Sequence, residues 1–238
     1  MANRKTVIVT GASQGIGAAI VQAFLDRSYN VVATSRSVSK AGFAPSPNLA
    51  LVDGDISQAA TAEKVTQTAI TKFGSIDHVV NNAGIFAVKP FTDYTSADFT
   101  AMIATNLAGF FHITQRAAAE MLKQGGGHIV NITTSFVDHP FAAVPAALAN
   151  LTKGGIASAT KALAIEYAAR GIRVNAVSPG FIKTPIIAPE NYEFLAGLVP
   201  VKHIGEIRDI VEAVLYLETA GFVTGAILHV DGGQNAGH

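Results

Sequence analysis

Thr10-Gly11-Ala12-Ser13-Gln14-Gly15-Ile16-Gly17 decides the reading of this chain, because it joins two stretches of different periodicity. Before it, Lys5-Thr6-Val7-Ile8-Val9 is rich in β-branched residues and reads as a buried strand. After it, Ala18-Ala19-Ile20-Val21-Gln22-Ala23-Phe24-Leu25 has helical spacing. The glycines therefore occupy a strand-to-helix turn. The first turn of a helix carries backbone N–H groups without internal partners at the positive end of the helix dipole, so a phosphate in front of it is bound with little further help. Glycine opens backbone angles closed to other residues and removes the Cβ between backbone and ligand. The spacing is Gly-x-x-x-Gly-x-Gly rather than Gly-x-Gly-x-x-Gly.

Around this turn, strand-like and helical patterns alternate to the end of the chain, the signature of a parallel sheet covered on both faces by helices. Asn30 to Thr34 reads as the second strand, Leu49 to Val52 as the third, Ile76 to Val80 as the fourth, His128 to Thr133 as the fifth, Ile172 to Val177 as the sixth and Ala226 to Val230 as the last. Helices are expected over residues 57 to 73, begun by a Ser57 cap, then over 97 to 123, 150 to 170 and 206 to 217. One α/β domain of about seven strands accounts for all 238 residues. The segment from Pro179 to Gly205 holds four prolines and no clear regular pattern, and reads as a substrate lid.

Composition narrows the class. Hydrophobic residues make up 49% of the chain and charged ones 14%, which fits a core-rich fold with part of its surface hidden in an oligomer. The formal net charge is zero and basic residues do not cluster, so neither nucleic acid nor an anionic membrane is an expected partner. Cysteine is absent, which excludes disulfides, thiolate catalysis and thiolate metal sites. The first strand begins within a few residues of Met1, and no apolar run approaches a membrane span, so a cytoplasmic protein is expected.

In an open parallel sheet, ligands bind beyond the carboxyl ends of the strands. After strand two stands Ser35-Arg36-Ser37, where an acid suits a free ribose 2′-hydroxyl and an arginine with hydroxyls suits a 2′-phosphate, which favours NADP over NAD. After strand three, Asp53-Gly54-Asp55-Ile56 offers a carboxylate to an adenine amino group or, equally, a helix cap. After strand four, Asn81-Asn82-Ala83-Gly84 brings side-chain amides that can tie two loops together; an asparagine-rich turn is the competing reading.

These residues together resemble the classical, single-domain short-chain dehydrogenase/reductase family along essentially the whole chain. The resemblance rests on Thr10-Gly11-x-x-x-Gly15-x-Gly17, Asn81 to Gly84, Thr105-Asn106-Leu107, Asn131 to Ser135, Lys153-Gly154-Gly155, Arg173-Val174-Asn175, Pro179-Gly180, Thr184-Pro185 and Val230 to Gly233. It implies a Rossmann-type doubly wound sheet and NAD(P)-linked hydride transfer between an alcohol and a carbonyl carbon of a small-molecule substrate. It implies a cofactor held by Gly11, Ser13, Gln14, Gly15, Ile16, Gly17, Arg36, Asp55, Ile56, Asn82, Ala83, Gly84, Lys153, Pro179, Gly180, Ile182 and Thr184, with no metal. It also implies that Asn106 anchors a water relay to Lys153, and that Thr134 or Ser135 supplies a substrate-binding hydroxyl. Strand register favours Thr134 and distance to the lysine favours Ser135. A homodimer or homotetramer is expected too, with the apolar helix from Asn150 to Ala169 at a subunit contact.

One position departs from the family pattern Tyr-x-x-x-Lys. The residue four before Lys153 is Ala149, and a methyl group donates no proton. General acid help is typically worth 10²–10⁴ in rate, so the substitute matters. Three are open: His139 in the loop after strand five, with Asp138 beside it; Tyr192 in the lid; and Lys153 itself, directly or through water. A cofactor-binding sensor or assembly protein without turnover is the alternative to an enzyme.

Overall fold

The computed structural model describes residues 4–237. Seven parallel strands form one sheet in the order β3-β2-β1-β4-β5-β6-β7, with β1 Thr6–Thr10, β2 Asn30–Ser35, β3 Leu49–Asp53, β4 His78–Asn81, β5 Gly127–Ile132, β6 Ile172–Pro179 and β7 Ile227–Val230. The chain runs outward from β1 to β3, then returns to β4 on the other side of β1. That reversal opens a crevice above the carboxyl ends of β1 and β4, where the glycine turn stands. Strands buried on both faces read as continuous apolar runs, and Val7-Ile8-Val9 and Val31-Val32-Ala33 are wholly buried.

Two apolar layers sandwich the sheet. On one face α1 Gly15–Asp26 and α7 Ile207–Thr219 cover Val7, Val9, Val31 and Val177 through Ile20, Phe24, Ile210 and Val214. On the other, α2 Ala59–Phe73, α4 Gly109–Gln124 and α5 Ala147–Tyr167 cover Ile8, Val32, Val79 and Ile129 through Val65, Ile113, Met121 and Ala164. A third cluster over the carboxyl edge gathers Phe136, Leu148, Ala149, Phe181, Leu195 and Val199.

Several boundaries differ from the sequence reading. The helix expected from residue 57 starts at Ala59, and Ser57 does not cap it. Instead the Asp55 carboxylate accepts the Ser57 N–H at 2.9 Å, so the turn closes on itself before the helix begins. The helix expected over 97 to 123 is interrupted: α3 Ser96–Met102 passes into a π-helical segment, Ile103–Ala108, and then into α4. Such widened turns are frequent at functional sites, and this one carries Asn106. The segment from Pro179 to Gly205, expected to be a lid without regular structure, is not irregular either. Pro179 belongs to β6, and α6 Tyr192–Leu198 lays Leu195 onto the third cluster. Its two ends are pinned where Lys183 N donates to Gly205 O and Gly205 N donates to Phe181 O.

At the opposite end of the sheet, His78 and His128 stand side by side across β4 and β5, both buried, with ring centroids 5.7 Å apart. Burial lowers the His78 imidazole to about 4 and drives His128 well below its usual value, with Arg173 adding to the effect on His128. The unfolded chain therefore takes up protons near pH 6.5 that the folded chain refuses. Stability is complete above that pH and falls as pH drops toward 4. Thermal unfolding is expected at a clearly lower midpoint at pH 5 than at pH 7; equal midpoints would contradict the buried neutral pair.

Candidate active site

The glycine turn forms as its composition demands. Gly11 and Gly15 adopt φ of +64° and +57°, in the left-handed region that side chains resist. Gly17 is needed for space: a Cβ there would stand 2.2 Å from Gly11 O and 2.5 Å from Asn82 Nδ2. Asn82 clamps the turn to the β4 loop, donating from Nδ2 to Thr10 O and Gly11 O at 3.0 and 3.1 Å. The Thr10 hydroxyl answers by accepting from the N–H groups of Asn82 and Ala83, each at 3.0 Å. So Asn82 ties two loops together, while its neighbour Asn81 turns into the core and binds Thr114 and Asn131. The reciprocal role of the Thr10 hydroxyl was not read from the sequence, although a threonine directly before Gly11 was its signal.

Gln14 at the head of α1 makes no side-chain capping bond, so the helix offers its first-turn N–H groups outward. Gly15, Ile16 and Gly17 line a cavity of about 520 Å³ above β1, β4 and β5, bounded on the far side by Pro179 to Ile182, by Thr184 to Ile187 and by Phe194 and Leu195 of α6. Ala83, Gly84, Gly180, Ile182 and Thr184, all expected at a cofactor, line it as well. Ser13, Arg36, Asp55 and Ile56 do not. Arg36 is exposed at the end of β2 and makes no ion pair among the described residues, whereas Ile56 is a core residue packed against Gly109. Of the two acids expected after the third strand, Asp53 is the last residue of β3 and holds Ser39 through both oxygens, and Asp55 is turned to Ser57.

Lys153 reaches from α5 to the end of β5. Its Nζ donates to Ile132 O at 2.7 Å, and Gly84 gives it room: a Cβ there would stand 3.1 Å away. Among the described residues it is the one ionisable side chain lining the cavity. Burial without an acidic partner lowers its ammonium to about 8. Asn106 does not line the cavity. Its amide donates to Ile85 O and to Thr152 Oγ1, and accepts from Ile85 N at 2.8 Å. It thereby fixes the Gly84-Ile85 loop against the helix that carries Lys153, and its side chain serves as a clamp.

The two hydroxyls left open by the sequence stand differently toward the cavity. Thr134 lines the cavity, while Ser135 is wholly buried with its Oγ unpartnered inside the protein. Of the proposed substitutes for a proton donor, His139 does not line the cavity: its ring packs edge-on against Phe141 and its carbonyl accepts from Gln234 Nε2. Tyr192 also lies outside the lining. Ala149 is fully buried within the apolar cluster. The same cavity is walled by Phe86, Phe136, Ala143, Val144 and Phe181.

Residues 11–235 match the profile of a family described as enoyl-(acyl carrier protein) reductase. The chain is 36% identical to 3beta-hydroxysteroid dehydrogenase 1 of Eggerthella lenta over 97% of its length and 93% of that protein's. It is 33% identical to the 3-oxoacyl-(acyl-carrier-protein) reductase FabG of Staphylococcus aureus over 97% of this chain and 98% of that one. Among solved structures it is similar to ElxO with NADP bound, at a TM-score of 0.91 and 30% identity over 98% of this chain and all of that one. The chain belongs to the short-chain dehydrogenase/reductase family.

Proposed function

We propose that this chain is an NADP-linked oxidoreductase acting on the alcohol or carbonyl group of a small, largely apolar molecule, with Lys153 exchanging the proton. The observation that carries this reading is that, among the described residues, Lys153 is the one ionisable side chain lining the cavity, together with Thr134 and the glycine turn. The first-turn N–H groups of α1, left without a side-chain cap, fit a diphosphate, and Arg36 at the end of β2 fits a 2′-phosphate. NADP in ElxO supports the same choice, with NAD second. The bound dinucleotide supplies hydride chemistry. Lys153, Gly84 and Asn82 position its site, Thr134 offers a hydroxyl to the substrate oxygen, and the Lys153 ammonium gives that oxygen its proton directly or through water. Phe86, Phe136, Phe181 and Phe194 keep bulk water out and favour an apolar substrate. Exposed Phe111, Leu151 and Ile165 on α4 and α5 support a homodimer or homotetramer.

A second reading has its own observation. Ala149 stands where related enzymes carry tyrosine and is sealed in apolar packing, which suits a dinucleotide-binding protein without turnover. The variant Ala149→Tyr separates the two. Inserting a ring there is expected to lower stability by about 1–3 kcal/mol, and to raise ketone reduction by roughly a hundredfold over the native protein. The check is NADPH oxidation with a panel of ketones, aldehydes, quinones and imines. If neither protein turns over any of them while both bind NADPH, the non-catalytic reading stands.

A further inference from the structure

A desolvated lysine that is partly neutral near pH 7 is a nucleophile as well as an acid. Lys153 meets the structural conditions: it lines a cavity with largely apolar walls, no carboxylate among the described residues lines that cavity, and Gly84 places no Cβ against its Nζ, where one would stand 3.1 Å away. The geometry points to Lys153 as a carbonyl-capturing residue that forms a reversible Schiff base with apolar aldehydes and unhindered ketones entering from the cavity. This activity goes beyond hydride transfer and needs no dinucleotide.

The step balances without an oxidant or reductant. The amine lone pair of Lys153 attacks the carbonyl carbon, a C–N bond forms as the C–O π bond breaks, and the oxygen takes up a proton. The carbinolamine oxygen then leaves as water after a second proton transfer, and the nitrogen becomes a protonated imine. Two features of the site favour that product. The iminium keeps one N–H, which replaces the ammonium as donor to Ile132 O, the acceptor already 2.7 Å from Nζ. The Thr134 hydroxyl borders the same cavity and can pass protons to and from the departing oxygen. Burial lowers the amine to about 8, so near pH 7 about a tenth of it is neutral, against less than a thousandth of an ordinary surface lysine.

The test uses the protein without dinucleotide, benzaldehyde as the carbonyl and sodium cyanoborohydride to fix any imine, followed by peptide mass mapping. At pH 7 the benzyl group is expected on Lys153 at a rate roughly a hundredfold above the exposed amines of Lys64 and Lys161. The Lys153 rate should level off above about pH 8 while the surface rates continue to climb. In Lys153→Arg the site is lost and surface labelling is unchanged. Labelling of Lys153 no faster than that of Lys64 and Lys161 would overturn the inference, whatever the arginine variant does. Because no dinucleotide is present, this result is independent of whether NADPH binds or is oxidised.

Discussion

Replacing Lys153 with methionine is expected to lower carbonyl reduction by roughly 10²–10⁴, the usual worth of a general acid. The loss should appear in turnover, because the methionine side chain follows the same apolar path from α5 and the neighbouring walls stay in place. Stability should hold or rise, since a buried cation with no counter-charge is removed, although Ile132 O loses its donor. The pH profile gives a second handle. Reduction needs the ammonium, so its rate should fall as pH rises through about 8, while alcohol oxidation, which needs the amine, should rise over the same range. Stopped assays of both directions in the native and Lys153→Met proteins measure this. Unchanged turnover in the variant would hand the proton to another group or to the substrate itself.

The second large effect is expected at Gly17. Alanine there would push a methyl to 2.2 Å from a backbone carbonyl and 2.5 Å from the Asn82 amide that clamps the turn, and neither neighbour can yield without breaking that clamp. The first turn of α1 must move instead. NADPH binding should weaken by roughly a hundredfold, about 2.7 kcal/mol, because the N–H groups no longer converge. Overall stability should fall by about 1–3 kcal/mol. Fluorescence titration of NADPH beside a urea unfolding curve separates the two quantities, and unweakened binding in Gly17→Ala would mean that the cofactor is not held by this turn.

How legible all this was depends on the kind of signal. The alternation of strands and helices follows from periodicity, and the tie between two loops made by Asn82 was one of two readings that turn chemistry left open; both signals are local and survive in the linear chain. Asn106 was readable as a position but not as a clamp, because the π-helical widening at Ile103–Ala108 arises from packing. For Thr134 and Ser135 the sequence carried two opposed signals, strand register and distance to the lysine, and which of them lines the cavity depends on how the chain turns after β5. His139 looked eligible because it follows β5, yet the loop folds its ring onto Phe141, and only tertiary contact decides that. Lys153 was visible throughout. What the sequence could not supply is that no other ionisable side chain among the described residues reaches the cavity beside it.

The most direct test is a calorimetric titration of the purified protein with NADPH at pH 7. One saturable site per chain is expected, with affinity greater for NADPH than for NADH, as the proposed pairing of Arg36 with a 2′-phosphate requires. No heat with either nucleotide, reduced or oxidised, would contradict the role assigned to the glycine turn and to everything arranged behind it.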